Sequence, residues 1–250
     1  MQLVLDLNMP SLIVEVDARL RTAYGVAPRF GDPDPVSQLV LAIISSKTLD
    51  AVSWAAYEAL EAHYLEHDGD WLGLRDATPA AVYSHIRAVT FPEDKAARLP
   101  LALQTIWHRR GALDLDFLAT WPVEAAHRWL RDLPGAGPKV AATVLNFSTL
   151  ARPVLVMDSH YLRVARRVGL LPACGSDTIA YRIIERQVPE SWSAEALGDH
   201  HWLMKIHSQR RCHKTAPLCV GCALGDLCLI RQPARREVAR RPQDLIGNGS

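Results

Sequence analysis

Four cysteines close to the C-terminal end are the residues whose type and spacing suit chemistry best. Cys212, Cys219, Cys222 and Cys228 follow the pattern C-x6-C-x2-C-x5-C. The chain has five cysteines, and four crowded into one stretch suit a metal centre in a reducing compartment better than a disulfide framework. Four thiolates can hold a structural zinc ion or an iron–sulfur cluster, although zinc sites usually use two separate CxxC pairs. Cys174 stands alone and is expected to be a free thiol.

A second pattern, LPGAGPK, predicts a tight turn between two helices within residues 123–150. We expect Gly135 and Gly137 to adopt positive φ and to bring backbone N–H groups close to a ligand. Pro138 stands where the first residue of a helix belongs, so the N–H groups of that helix would point to the same place. The turn could therefore hold a DNA backbone phosphate. Taken alone, the GxG pattern is more simply explained as a plain interhelical turn.

Two ionisable residues follow this turn. Lys139 lies at the start of the second helix, whose positive end disfavours protonation of the amine. A lysine in that position can be a nucleophile when it is partly desolvated, or it can simply contact a phosphate. Asp158 opens the next helix, SHYLRVARRVGL, where aspartate is a favoured N-cap.

Helix signals dominate the rest of the chain, and no alternating strand pattern is apparent, so we predict an all-α fold. One lobe is expected to span residues 36–150. The other is expected to combine residues 1–35 with 151–230, followed by a disordered basic tail at 231–250. Asp94 is predicted to cap a helix that Pro100 would bend or shift.

Composition indicates a globular protein with a full core, because 49% of the 250 residues are hydrophobic. Residues 1–100 carry 8 Lys and Arg against 14 Asp and Glu, whereas the remainder carries 20 against 13. The motifs therefore lie in the basic part of the chain, which suits an anionic partner. No apolar run approaches the roughly 20 residues of a membrane helix, so we expect a cytoplasmic protein with no membrane contact, nucleoid-associated if bacterial.

The conjunction of LPGAGPKVAATVLN, VMDSHYLRVARRVGL and the cysteine loop resembles the endonuclease III family of helix-hairpin-helix DNA glycosylases. The resemblance extends from about residue 35 to residue 228. It implies a six-helix barrel lobe and an iron–sulfur lobe with a DNA-filled cleft between them, and a damaged base flipped into a pocket. It also implies a DNA glycosylase and AP lyase of base excision repair. The expected partner is duplex DNA with a damaged base or abasic site, bound by a monomer.

The resemblance assigns residue roles. It implies that Lys139 attacks C1′ of the damaged nucleotide, expels the base and forms a Schiff base that permits strand cleavage. Asp158 would stabilise positive charge that develops on the sugar, and the four cysteines would hold a 4Fe-4S cluster. The residues expected to contact DNA are Gly135, Gly137, Lys47, Phe91, His160 and Lys214. Arg163, Arg166 and Arg167 are charged neighbours of His160, and some of them could reach phosphates.

Two loops depart from the family pattern. In SSKTLD, Lys47 replaces a glutamine that fills the gap left by the flipped base, and lysine cannot accept a hydrogen bond from the widowed base. In TFPEDKA, Phe91 replaces an aliphatic wedge beside Glu93 and Asp94. The damaged base and the opposing base are therefore left open.

Three alternatives also remain. A mismatch-adenine glycosylase is expected to lack the lysine at 139 and to carry a glutamate near 47. A non-catalytic, cluster-bearing DNA-binding protein and a zinc-stabilised interaction module are the others. His200 and His201 resemble a family segment that packs the lobes together.

Overall fold

The computed structural model describes residues 11–26, 33–65, 70–173 and 175–232. Within these ranges the chain consists of helices joined by turns, without a strand, so the predicted all-α class is confirmed. None of the helices in these ranges is long and apolar enough to cross a bilayer. The expectations for Cys174 and for the tail from residue 233 onward fall on residues outside the description.

The chain divides into two compact units. Unit 1 comprises residues 1–29, 157–192 and 199–250, and unit 2 comprises residues 30–156 and 193–198. The lobes expected from the sequence had bounds at 36 and 150 and did not assign 193–198 to the first of them. That stretch joins unit 2 because Asn146 Nδ2 donates to Ala194 O at 2.9 Å. Gly198 also packs so closely on Phe147 that an added Cβ would lie 2.9 Å from its ring.

Unit 2 contains most of the helices. Their bounds are α2 Pro35–Ser45, α3 Asp50–Leu60, α4 Leu72–Asp76, α5 Pro79–Ile86, α6 Pro92–Arg110, α7 Val123–Arg131 and α8 Pro138–Phe147. A π-helical turn, Glu61–Leu65, extends α3, and a 3-10 turn, Asp116–Ala119, precedes α7.

Unit 1 is built on α1, Leu12–Tyr24, α9, Ser159–Val168, α10, Asp177–Glu185, and most of α11, Ala194–Arg210. The cysteine-bearing loop follows α11 directly and contains turns rather than helix.

The core of unit 2 forms around α2, which is buried along almost its whole length and packs against α8, α3 and α6. The Asp34 carboxylate caps the helix by accepting from the N–H groups of Val36 and Ser37 at 2.9 and 3.0 Å. Pro35 supplies the first helical residue, whose φ is already suited to a helix. Ser37 is a polar residue of α2 inside the core. Its hydroxyl has a hydrogen-bond partner, since Trp71 Nε1 donates to Ser37 Oγ at 2.9 Å.

The prediction that Asp94 caps a helix is wrong. Helix α6 begins at Pro92 and is preceded by Phe91 in the left-handed conformation, so Asp94 lies inside the first turn. There it pairs with Arg98 one turn later, at 2.7 Å. Pro100 is accommodated inside the helix, which continues to Arg110.

Unit 1 has a buried polar chain that links three of its helices. Tyr161 O–H on α9 lies 3.2 Å from His200 Nε2 on α11, and His200 Nδ1 lies 3.0 Å from Asp17 Oδ1 on α1. Arg21 donates to the other Asp17 oxygen at 2.7 Å and to Asp199 at 3.1 Å. His200 is fully buried. These contacts of His200 lie within unit 1.

The hydrogen-bond partners determine which side chains of the buried polar chain are charged. Burial alone would raise the pKa of Asp17, but the hydrogen bonds from His200 and Arg21 lower it overall. Burial lowers the pKa of His200, so its neutral ring donates to Asp17 through Nδ1 and accepts from Tyr161 through Nε2. The Asp17 carboxylate and the Arg21 guanidinium therefore form the charged pair. The neutral His200 ring connects Asp17 to Tyr161 on α9 through its two hydrogen bonds.

Replacing Asp17 with asparagine should destabilise unit 1. The variant removes the anion that accepts from both Arg21 and the buried His200 and leaves Arg21 only Asp199, so we expect a loss of about 2–4 kcal/mol in the free energy of unfolding. Urea denaturation followed by circular dichroism would measure it. Because the folded pKa of Asp17 lies below its ordinary 3.8, the contribution is present above that pH and should fade as pH falls further.

Glu15→Gln is the matched control on the same helix. Glu15 pairs with Arg19 at 2.6 Å, but both side chains are about 30% exposed (30% for Arg19 and 28% for Glu15). Its loss should cost less than about 1 kcal/mol. Equal destabilisation by the two variants would contradict the importance of the buried chain.

Candidate functional site

The predicted hairpin is present between α7 and α8. Its turn is closed by a hydrogen bond from Ala136 N to Leu133 O at 3.0 Å. Gly135 has φ of +81°, a conformation that favours glycine, and it packs directly against neighbouring helices. A Cβ added there would lie 3.4 Å from Cβ of Arg98 and 3.5 Å from Cγ2 of Ile43. The turn is thus pressed onto α6 and α2.

Gly137 differs from the expectation. Its φ is −79°, so only Gly135 adopts the positive φ predicted for both glycines. The reason is that Gly137 is the N-cap of α8, where extended backbone is usual. No atom lies within 4 Å of a Cβ added at Gly137, which leaves open space beside the backbone at the helix start.

Lys139 is the second residue of α8 and is half-buried. The peptide just before it is held by His127 on α7, whose Nε2 lies 3.0 Å from Pro138 O. Burial lowers the pKa of His127, although the contact with Pro138 opposes this, so the neutral ring donates to the carbonyl. His127 could not be predicted from the sequence, since nothing in a lone histidine on an amphipathic helix indicates this contact.

Asp158 is the N-cap of α9 in unit 1, as its position predicted. Its carboxylate accepts from Tyr161 N at 2.8 Å. Burial would raise its pKa, but the pKa is lowered overall by His201, the Tyr161 N–H, His160 and Lys205. Asp158 is therefore a half-buried, ionised carboxylate with histidine and lysine side chains nearby.

Lys205 was not singled out from the sequence, yet it contributes to this surrounding charge. Only 9% of it is exposed, and its Nζ lies 4.7 Å from the centre of the Trp202 ring.

The cationic face predicted on α9 is directed partly inward. Arg163 donates to Cys212 O at 2.9 Å and to Ser208, and its Nη2 lies 3.2 Å from His160 Nδ1. His160 Nδ1 is also 3.2 Å from Ser208 Oγ. Arg163 therefore connects α9 to the first cysteine and to the end of α11, which leaves it poorly placed as a free phosphate ligand.

Arg167 has an equally definite role beside the cysteines. It donates to Cys212 Sγ at 3.0 Å, to His213 O at 2.8 Å and to Lys214 O at 3.0 Å. Its own carbonyl accepts from Leu229 N at 2.7 Å. One residue of α9 thus fastens both ends of the cysteine loop and places a positive charge next to a sulfur.

All four predicted cysteines line one cavity in unit 1, together with apolar residues such as Val164, Leu224 and Ile230. Burial raises the pKa of Cys222, and the other three cysteines add to this effect, against a hydrogen bond from Leu224. His207 Nε2 lies 3.7 Å from Cys222 Sγ.

The four cysteines around this cavity are the candidate ligands of a metal centre. Among the described residues, no three His, Cys, Asp or Glu side chains are arranged to hold a single metal ion. Zinc would need all four sulfurs about 2.3 Å from one point. Four thiolates are also the usual ligand set of a 4Fe-4S cluster, in which each thiolate binds a different iron.

The surface of the cysteine loop carries the predicted cation. Lys214 is exposed, and its backbone carbonyl is one of the three acceptors of Arg167. Arg211 donates to Val220 O at 3.2 Å, so it stiffens the loop near Cys219 and Cys222.

Lys47 and Phe91 lie in unit 2, on the α2–α3 and α5–α6 connections. Both are exposed and both have positive φ, 59° and 56°. The Lys47 ammonium lies 5.5 Å from the centre of the Phe91 ring. The structure brings the two residues together, which the sequence did not predict.

Comparison with known proteins finds several relatives that are named endonuclease III. The chain is 34% identical over 149 residues to the endonuclease III of Treponema pallidum strain Nichols, covering 58% of this chain and 62% of the relative. It is 31% identical over 103 residues to the endonuclease III of Escherichia coli strain K12, covering 41% of this chain and 46% of the relative. Each alignment spans less than two thirds of the relative. No family model matches the chain.

Solved structures agree on the fold. A non-covalent endonuclease III–DNA complex superposes with a TM-score of 0.72 at 20% identity, covering 90% of this chain and 97% of the other. A trapped covalent intermediate of endonuclease III with DNA gives a TM-score of 0.72 at 19% identity, with the same coverage. The predicted resemblance is confirmed: this chain has the endonuclease III fold and is endonuclease III-like in sequence.

Proposed function

We propose that the protein is a DNA glycosylase of base excision repair that also cleaves the strand as an AP lyase, with Lys139 as its nucleophile. The observation that carries the proposal is the position of Lys139. It lies in the first turn of α8, directly after a glycine hairpin pressed onto α6 and α2. The endonuclease III relatives and the DNA complexes of that fold support the same activity.

The hairpin is suited to a DNA backbone. The first N–H groups of a helix have no partner within the helix and carry positive partial charge, which favours a phosphate. The space beside Gly137 would let the strand approach the backbone itself. Such contacts position a duplex without reading its sequence.

The chemistry proposed for Lys139 begins with its neutral amine. The Nζ lone pair forms a bond to C1′, the glycosidic C1′–N bond breaks, and the base leaves with that electron pair and takes up a proton. Opening of the sugar ring and loss of an amine proton give the Schiff base. Loss of a C2′ proton then expels the 3′ phosphate, and water releases Lys139.

Asp158 is proposed to stabilise the positive charge that develops on the sugar. Its pKa is lowered in spite of burial, so the negative charge is present at neutral pH. A fixed charge in a buried setting acts on a transition state more strongly than one in water.

The four cysteines are proposed to hold a 4Fe-4S cluster. When bound, such a cluster supplies a rigid anchor of four iron–thiolate bonds, and a closed ligand set leaves no position for a substrate. Arg167 would offset negative charge at Cys212 and hold the loop against α9. Lys214 on the outer surface, with His160, is proposed to contact DNA phosphate.

A non-catalytic DNA-binding protein is the second candidate, favoured by the acidic neighbours of Phe91. Glu93 and Asp94 both lie in the first turn of α6. A mismatch-adenine glycosylase is less suited, because Lys139 is present and Lys47 stands where a glutamate would be expected.

Borohydride trapping separates catalysis from binding. On a duplex with one abasic site, the wild-type protein should give a covalent adduct. Lys139→Gln should lose it, with strand cleavage reduced by a factor on the order of 10³ or more, since a missing nucleophile has no local substitute. Denaturing gels would measure both.

Arg128→Gln is the control for this test. Arg128 is an exposed cation on α7, and its loss removes the same charge without touching the hairpin turn. It should form the adduct as the wild type does. An undiminished adduct in Lys139→Gln would contradict the assignment, and duplex binding without any wild-type adduct would favour the non-catalytic candidate.

Substitutions of the two hairpin glycines should have different effects, one on DNA affinity and the other on stability. Gly137→Ala should fold normally, because its φ suits any residue and its Cβ meets nothing. It should weaken binding to a lesion-free duplex by about tenfold if the strand approaches there, as loss of one or two phosphate contacts predicts.

Gly135→Ala should instead cost about 1–2 kcal/mol of stability through its left-handed backbone. Thermal melting and fluorescence anisotropy measure the two effects. Unchanged DNA affinity in Gly137→Ala would contradict the proposed approach of the strand.

Metal analysis tests the cofactor. Protein purified without air should be brown, with a broad visible absorption band and about four iron and four sulfide per chain. Colourless protein with stoichiometric zinc would contradict the cluster and favour a zinc-stabilised module.

A further inference from the structure

Two exposed residues of unit 2 share an uncommon backbone conformation. Lys47 and Phe91 both have positive φ although neither is glycine, and Phe91 is 58% exposed. Such conformations are unfavourable for side chains of this size and persist only where the surroundings impose them. Both residues nevertheless stand at the tips of adjacent connections, with the Lys47 ammonium facing the Phe91 ring.

The residue that imposes this arrangement is Lys95, which is only 4% exposed. Its Nζ donates to Ile44 O at 2.6 Å, Ser46 O at 2.7 Å and Thr48 Oγ1 at 2.8 Å. These acceptors belong to the end of α2 and the connection after it. All three hydrogens of the ammonium are therefore used, and the negative end of α2 receives a positive charge.

Lys95 also reaches the second connection. Its own N–H donates to Phe91 O at 3.2 Å, so the two residues share the first turn of α6. Thr48 Oγ1, which accepts from Lys95, accepts in addition from Thr90 N at 3.2 Å. Lys95 and Thr48 thus tie the residues that flank Lys47 to the residue before Phe91.

Burial of the Lys95 ammonium is energetically unfavourable, which indicates that this lysine has a function. Burial and the nearby Lys139 lower the pKa of Lys95 to about 8. An apolar residue would avoid that cost in the core. The same structure leaves a large aromatic side chain projecting into solvent, where it contributes little to folding.

We propose that Lys95 is a positioning residue that fixes Lys47 and Phe91 as one rigid wedge for insertion into duplex DNA beside the damaged nucleotide. This inference rests on the proposed function. Phe91 would stack on an exposed base, and the Lys47 ammonium would keep the ring oriented while remaining near the phosphates. Because the wedge is ordered before binding, little conformational freedom is lost when it enters the stack.

The test uses a duplex that carries a tetrahydrofuran abasic analogue with 2-aminopurine opposite it, since 2-aminopurine fluorescence reports unstacking. Affinity is measured separately by anisotropy, and fluorescence is read at saturating protein. Lys95→Met keeps the length of the side chain but removes its donors. It should bind about tenfold more weakly, as loss of one base stack predicts, and should lose most of the fluorescence change. Phe91→Ala should give the same result.

Two further variants separate positioning from stability. Thr48→Val retains the bonds from Lys95 to Ile44 O and Ser46 O but removes the link to Thr90, so it should fold and still lose part of the fluorescence change. Arg109→Met, at an exposed position near the other end of the same helix, should leave affinity and fluorescence unchanged. If Lys95→Met is too unstable to purify, Thr48→Val decides the question.

A folded Lys95→Met or Thr48→Val protein with the full wild-type fluorescence change would overturn the proposal, even if its melting temperature were lower. That result would leave the proposed function intact. A wild-type protein that fails to bind the abasic duplex would overturn both.

Discussion

The start of α8 is the constraint on which the proposed chemistry depends. Gly135 lies in contact with Arg98 and Ile43, and its φ of +81° favours glycine at this position. His127 holds the carbonyl of Pro138 from α7. The turn, the open space at Gly137 and the Lys139 side chain are therefore placed by packing against three helices, which is how a loop site acquires the accuracy that catalysis requires.

Several cationic side chains are directed into the protein rather than toward solvent. Lys95 satisfies the end of α2, and Arg163 and Arg167 fasten the cysteine loop to α9. Arg163 and Arg167 count toward the basic balance after residue 100, but their donors, like those of Lys95, are used inside the protein. The net charge therefore does not indicate how large a DNA-binding surface is. The contacts of each cationic side chain decide whether it can reach DNA.

Local patterns predicted much of this arrangement. The cap at Asp158, the helix start at Pro138 and the hairpin turn follow from rules that act within a few residues. The roles of Lys95, His127 and Lys205 could not be predicted in this way, since each depends on a partner far along the chain or on burial. The same limit explains Arg167, whose donors are used by a loop more than 40 residues away. Gly137 is different, because its φ follows from its local position as the N-cap of α8, directly before Pro138.

The central claim is that one amine of this chain becomes bonded to the sugar. The chain has five lysines, at 47, 95, 139, 205 and 214, so the site of the bond can be located directly. Wild-type protein would be reduced with borohydride on an abasic duplex, digested, and its nucleotide-bearing peptide sequenced by mass spectrometry. The account predicts the modification on Lys139, and a modification on any of the other four lysines would contradict it.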